Sequence, residues 1–142
     1  MNWALMPLRR YTDFKGRSRR KEYWMFLLGI TIVGVGLVLL GAILTGGFGR
    51  SGERSPLALL GLAPFGLFYL AMLLPSIAVQ VRRLHDRNLS GWLLLGVYLL
   101  SWVPVLGFLL SVGFLVITCL PGTPGPNRYG PDPKEDLAEA FR

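Results

Sequence analysis

Apolar positions dominate three long stretches of the chain, residues 24–49, 55–81 and 88–127, none of which contains an Asp, Glu, Lys or Arg. About 20 mostly apolar residues cross a hydrocarbon core of about 30 Å, and each stretch exceeds that length. Inside a bilayer every backbone polar group must find its partner within the protein, so such segments form helices or a closed barrel. A barrel strand alternates lipid-facing apolar residues with polar ones. Runs such as LVLLGAIL and LLGVYLL show no alternation. The pattern therefore predicts an all-α protein, a small polytopic transmembrane helical bundle with three apolar segments.

The expected spans cover about residues 23–44, 57–81 and 92–120. Gly29, Gly34, Gly36 and Gly41 fall in the first, where small residues mark close helix packing. Pro64 and Pro75 interrupt the second, and a proline bends a helix by removing a donor. The third is long. At 1.5 Å per residue, a straight helix over residues 91–120 would reach about 45 Å. Pro104 and Gly107 offer a break near its middle. It is either one kinked span, with the C-terminus outside, or a hairpin of two short helices turning near residues 102–107. The hairpin returns the C-terminus to the cytoplasm.

The organisation expected is one integral membrane domain over residues 1–133. It comprises a basic amphipathic segment at 1–22, the spans, and a Pro/Gly-rich segment at 121–133. A short polar tail follows at 134–142 and is able to form a surface helix. PGTPGPNRYGPDP cannot be helical and reads as fixed turns or extended chain.

Composition sharpens the membrane assignment. Of 142 residues 52% are hydrophobic and 16% charged, against about 25% charged in soluble domains. Too few polar side chains remain to cover three apolar stretches in water. A cleaved signal peptide has a brief basic start and an apolar region of about 7–15 residues. The first stretch is longer and follows residues 1–22, so it is expected to be a retained anchor. Cys119 is the lone cysteine. This excludes an internal disulfide and a cysteine-based metal cluster, and its apolar context suits an inert small hydrophobe.

Charge adds an orientation. The net charge is +7, and Arg9, Arg10, Lys15, Arg17, Arg19, Arg20 and Lys21 precede the first apolar stretch. Arg82, Arg83 and Arg87 follow the second. By the positive-inside bias both clusters face the cytoplasm, while the Gly/Ser-rich loop at 45–56 suits the outer side. Trp3 and Phe14 are expected to lie flat on the membrane surface beside the basic residues. Each basic residue near an anionic leaflet contributes about 1 kcal/mol.

Three motifs stand out: FKGRSRRKEYW at 14–24, RRLHDRNLSGW at 82–92 and PGTPGPNRYGPDP at 121–133. In order and spacing they resemble the domain-of-unknown-function family 805, over roughly residues 11–133. The resemblance implies an integral bacterial inner-membrane protein and implies no reaction. One departure is Arg87-Asn88-Leu89, where family members often read Leu-Gly-Arg. Asn is among the few residues able to adopt the left-handed conformation that a glycine there would supply.

Several residues are candidates for chemistry. Arg82 and Asp86 fall four apart and can pair on one helix face. With Arg83 and His85 they form a polar group at the membrane boundary, and an unperturbed histidine near pKa 6.5 can sense pH or shuttle a proton. The plainer reading is a helix C-terminus whose arginines complement the dipole and snorkel to headgroups. Lys15, Arg17, Arg19 and Arg20 offer a surface for anionic lipid or an acidic partner, with Gly16 permitting a turn before a helix starting near Ser18. Asn127 and Arg128 join them if the hairpin brings all three motifs to one face, where Glu22 and Asp86 would partner arginines. Ser90 and Trp92 read as a helix cap and an interfacial anchor.

One His and one Asp do not make a metal site, and no cofactor is expected. The basic charge lies at membrane flanks, so nucleic acid is not an expected partner. The expected function is a structural or partner-binding membrane protein that engages anionic headgroups, with a second copy or another membrane protein as further partner. A small transporter or channel component is the alternative, although intramembrane charges that mark such pathways are absent from the spans. An interfacial enzyme using His85 and Asp86 comes third, because no nucleophile accompanies them.

Overall fold

The computed structural model describes residues 5–45 and 56–134. It contains α1 (Met6–Arg9), α2 (Arg20–Leu44), α3 (Pro56–Asp86), α4 (Trp92–Leu100) and α5 (Pro104–Cys119). Trp3, most of the Gly/Ser-rich loop and the tail beyond Lys134 lie outside the described residues.

Helix α2 has 25 residues and α3 has 31, or about 37 and 46 Å of rise. Both are long and apolar enough to cross a membrane. α2 opens at Arg20 rather than near Ser18, so Glu22 falls in its first turn. There a carboxylate is favoured by the helix dipole. α3 does not stop at Val81 but runs through RRLHD, ending with Arg83 and His85 in its last turn.

The two long helices pack antiparallel, and small residues set their approach. A Cβ on Gly41 would overlap the Gly61 backbone, while one on Gly34 would touch Phe65 at 3.4 Å. Gly29 and Gly36 face open space, so two of the four glycines in α2 serve this contact.

Both prolines are accommodated inside α3. Pro75 has no N–H to give Ala71, four residues earlier, which leaves a carbonyl without its helical donor. The Tyr11 hydroxyl donates to that carbonyl. The segment bearing Tyr11 is packed against the bundle. Pro7 is fully buried, and Leu8 packs on a cluster of Tyr23, Phe26 and Val79. Phe14, further along the segment, remains exposed. The orphaned carbonyl and the apolar α2–α3 groove together draw the N-terminal segment in.

The third apolar stretch is two helices, not one kinked span. Residues 101–103 turn the chain, and Pro104 occupies the start of α5, where its missing N–H costs nothing. Gly107 is required there, because a Cβ would overlap the Ser101 backbone. The nine residues of α4 and sixteen of α5 rise only about 13 and 24 Å. The start of α4 and the end of α5 both lie at the C-terminal end of α3.

Burial is inverted relative to a water-soluble protein. The buried hydrophobic residues among those described are Tyr23, Phe26, Ala78, Val79, Leu84 and Leu94, while Leu44 and Val105 are about three-quarters exposed. Arg17, Ser18, Glu22, Arg82, Arg83, Asp86, Thr118 and Asp132 are buried instead. Such an arrangement suits a bilayer around the helices, since lipid covers the apolar side chains that water would not.

Candidate functional site: a buried polar cap

The buried polar residues gather where α2 begins and α3 ends. At their centre Asp86 Oδ1 accepts from Arg17 Nε at 3.0 Å, and Oδ2 accepts from Arg83 Nη1. One carboxylate between two guanidinium groups leaves most of their N–H donors to be satisfied elsewhere. Backbone carbonyls supply the rest. Arg17 donates to Gly125 O at 2.6 Å and Thr123 O at 2.5 Å. Arg83 donates to Thr118 O at 3.2 Å and to Leu120 O.

The chain between Thr118 and Gly125 therefore wraps the two arginines with carbonyl oxygens. It is tied to the end of α3 by Thr123, whose N–H and hydroxyl donate to Asp86 O at 2.9 and 3.1 Å. Gly122 lies against the Asp86 carboxylate so closely that any Cβ would overlap it.

The expected Arg82–Asp86 pair does not form. Arg82 turns toward α2, with its Nη2 3.4 Å from Glu22 Oε1, and its carbonyl accepts from Ser18 N at 3.1 Å. Asp86, one turn further on, faces Arg17 and the returning C-terminal segment. Nor do Arg82 and Arg83 snorkel to headgroups: both are completely buried, because residues 13–18 and 118–125 close over them. Among the described residues the Arg82 guanidinium makes no hydrogen bond, so its charge is balanced through the ionic contact to Glu22.

His85 faces the other way. Its Nδ1 lies 3.2 Å from Gly16 O, and its ring stacks on Tyr129 at 3.8 Å between centroids with 5° between planes. His85 and Asp86 thus have separate partners and do not form an acid–base pair. Asn127 donates from Nδ2 to His85 O at 3.0 Å, and Arg128 donates from Nη2 to Asn88 O at 2.9 Å. NRYG therefore packs directly on RRLHD, as the hairpin reading requires.

Asn88 has φ of 57° and Gly16 has φ of 80°, so the Asn takes the left-handed position and the Gly its turn. Ser90 falls two residues before the start of α4. Its Oγ is 3.4 Å from Trp92 N, but Gly91 occupies the cap position.

On the outer side of this network lies a cavity of about 320 Å³. Arg17, Arg19, Arg20, Lys21 and Lys134 line it together with Asp86 and Asp132. Arg20 and Lys21 are exposed. Arg19 donates to Pro133 O, and Arg20 reaches Cys119 O at 3.2 Å. Lys15 stands apart on the surface, its N–H bound by Asp13 Oδ1 at 2.9 Å.

Sequence reasoning missed Asp132. Its burial pushes the carboxyl upward, but N–H donors from Lys134 and Gly125, with the nearby Arg17 charge, outweigh this and hold it below the usual range. The signal available was its place in a Pro/Gly-rich segment, where Asp binds backbone N–H groups of the following turn. Cys119 is exposed on the bundle exterior.

Two helices long and apolar enough to cross a membrane, an apolar hairpin and a buried ionic cap define a helical membrane protein. The profile described as "Protein of unknown function (DUF805)" matches residues 11–131, and the chain belongs to that family. It is 42% identical over 134 residues to inner membrane protein YhaH of Escherichia coli strain K12, covering 94% of this chain and 98% of that protein. Inner membrane protein YhaI of the same strain is also 42% identical, over 135 residues covering 94% and 97%. Uncharacterized protein YiiR is 30% identical over 145 residues, covering 87% of each. No solved structure matches. These relatives place the chain among inner-membrane proteins.

Proposed function

We propose that the chain is a multi-pass inner-membrane protein whose N-terminus and polar cap face the cytoplasm, where the cap engages anionic lipid headgroups. The observation carrying this reading is the cavity lined by Arg17, Arg19, Arg20, Lys21 and Lys134. It lies at the start of α2, where charged residues give way to apolar ones. Asp86 and Asp132 offset part of that charge, and Arg20 and Lys21 project from the exposed first turn. Clustered cations at this level attract anionic lipid by about 1 kcal/mol each. The orientation rests on the positive-inside bias of residues 9–21.

The test is lipid retention by the purified full-length protein in nanodiscs of phosphatidylcholine with or without phosphatidylglycerol, read by native mass spectrometry. Preferential retention of phosphatidylglycerol, lost about tenfold in the Arg20→Ala/Lys21→Ala double variant, is expected. Equal retention of the two lipids, with an unchanged melting temperature, overturns the reading.

A further inference from the structure

A second cavity, of about 600 Å³, opens between α3 and α4 on the far side of His85 from the arginine network. Its walls are apolar: Ile77 and Val81 on α3 face Leu94, Leu95 and Tyr98 on α4. Both helices run away from the cap into the apolar part of the molecule, so the groove does too. At the cap end the lining changes character to His85, Tyr129, Ser90 and Phe14, with Trp92 among the most exposed side chains of the molecule. Binding sites for small molecules commonly have this build, an apolar cleft of about 300–1,000 Å³ between helices with a few convergent polar groups.

The chemistry of the polar end follows from His85. Gly16 O can only accept a hydrogen bond, so the Nδ1 facing it at 3.2 Å carries the proton. In the neutral ring Nε2 is then an acceptor. That nitrogen lies on the Gly91 side, 3.3 Å from where a Gly91 Cβ would stand, and Gly91 is itself part of the groove lining. Tyr129 stacks on the imidazole, and the Arg128 guanidinium lies 4.8 Å from the centre of the Tyr129 ring. Burial of the ring first, and this nearby cation second, disfavour a positive charge on His85 against the opposing pull of the Gly16 carbonyl. The groove therefore presents a fixed, neutral hydrogen-bond acceptor at the top of an apolar channel.

We infer that this groove binds a single-chain amphiphile with an uncharged hydroxyl head, the O–H donating to His85 Nε2 and the chain lying between α3 and α4. From Trp92 to Tyr98 the wall rises about 9 Å. The groove thus takes the head and the first part of the chain, and the remainder continues along α4 among bilayer lipids. This site is separate from the basic cavity, and its occupancy does not depend on lipid charge.

The experiment is photolabelling of the full-length protein in phosphatidylcholine nanodiscs. The probe is a sixteen-carbon alcohol carrying a diazirine near its head, and labelled positions are mapped by mass spectrometry. Labelling concentrated on Leu94, Leu95 and Tyr98, and displaced by unlabelled hexadecanol, is expected. Leu95→Trp fills the groove from a lipid-exposed position and should abolish that concentration without lowering the melting temperature. His85→Phe retains a ring to stack on Tyr129 but no acceptor, and should weaken labelling about three- to tenfold, the effect of one net hydrogen bond. The methyl ether of the same probe should fall by the same factor on the unaltered protein. Labelling spread equally over the outer face of α2, or unchanged by Leu95→Trp, means bulk lipid contact and overturns the site. An ether that labels as well as the alcohol overturns the hydroxyl head.

Discussion

The apolar bundle and the polar cap are held together by opposite means. Between α2 and α3 a close backbone approach is made by two residues without side chains, Gly41 and Gly61. Lipid tails are as apolar as leucine, so burying more leucine there brings little association, and close backbone packing takes its place. In the cap the interior is charged. Arg17, Arg82, Arg83, Glu22 and Asp86 are all buried, and carbonyl groups of residues 118–125 fill the remaining donor positions of Arg17 and Arg83. Deep in the bilayer the helices satisfy their own backbones, whereas at its edge an irregular chain must use its carbonyls, and here it spends them on arginines. One molecule thus uses absence of side chain in one half and density of charge in the other.

The comparison predicts that substitutions in the cap outweigh those in the bundle. Asp86→Ala should have the largest effect, because it strands two buried guanidinium groups. Removing one partner of a buried ion pair costs about 3–5 kcal/mol. Thermal unfolding of the purified protein in detergent should show this as loss of most of the folded population. A loss no greater than that of an exposed leucine such as Leu39→Ala would dissolve the distinction.

Gly41→Val comes next. Its side chain would meet the Gly61 backbone and push α2 from α3, an overpacking cost of about 1–3 kcal/mol. The same unfolding assay reads it, and Gly36→Val, which faces open space, is the control expected to change little.

Tyr11→Phe is the smallest, about 1 kcal/mol for one hydrogen bond, and it sharpens the comparison because Tyr11 links the halves. Restoring a donor with Pro75→Ala in the same chain should recover the loss. A double variant as unstable as the sum of the singles would show that the hydroxyl does not serve the Ala71 carbonyl.

Much of the bundle is legible in the chain because its determinants are local. Uncharged length predicts α2 and α3, and Pro104 with Gly107 marks where the third stretch turns. Gly16 and Asn88 announce their backbone conformations by residue type alone. The cap partners are less legible. Spacing on a helix reveals neighbours three or four residues away, and from it Arg82 and Asp86 look like a pair. The actual partner of Asp86 besides Arg83 is Arg17, 69 positions distant, and the oxygens around both arginines belong to a backbone whose sequence carries no sign of them. Tyr11 falls between these cases. Pro75 says that a carbonyl is orphaned, but not which hydroxyl will find it.

The segment that closes the cap also sets a timetable. A ribosome adds about 5–20 residues per second, so Asp132 is made some 2–9 s after Asp86. Until residues 118–125 are made, the carbonyl oxygens that surround Arg17 and Arg83 in the finished cap do not exist. Synthesis of the long helices thus precedes that of the segment closing their charged end. The last part of the described chain acts as a latch, and a nascent protein is open at the cap until it arrives.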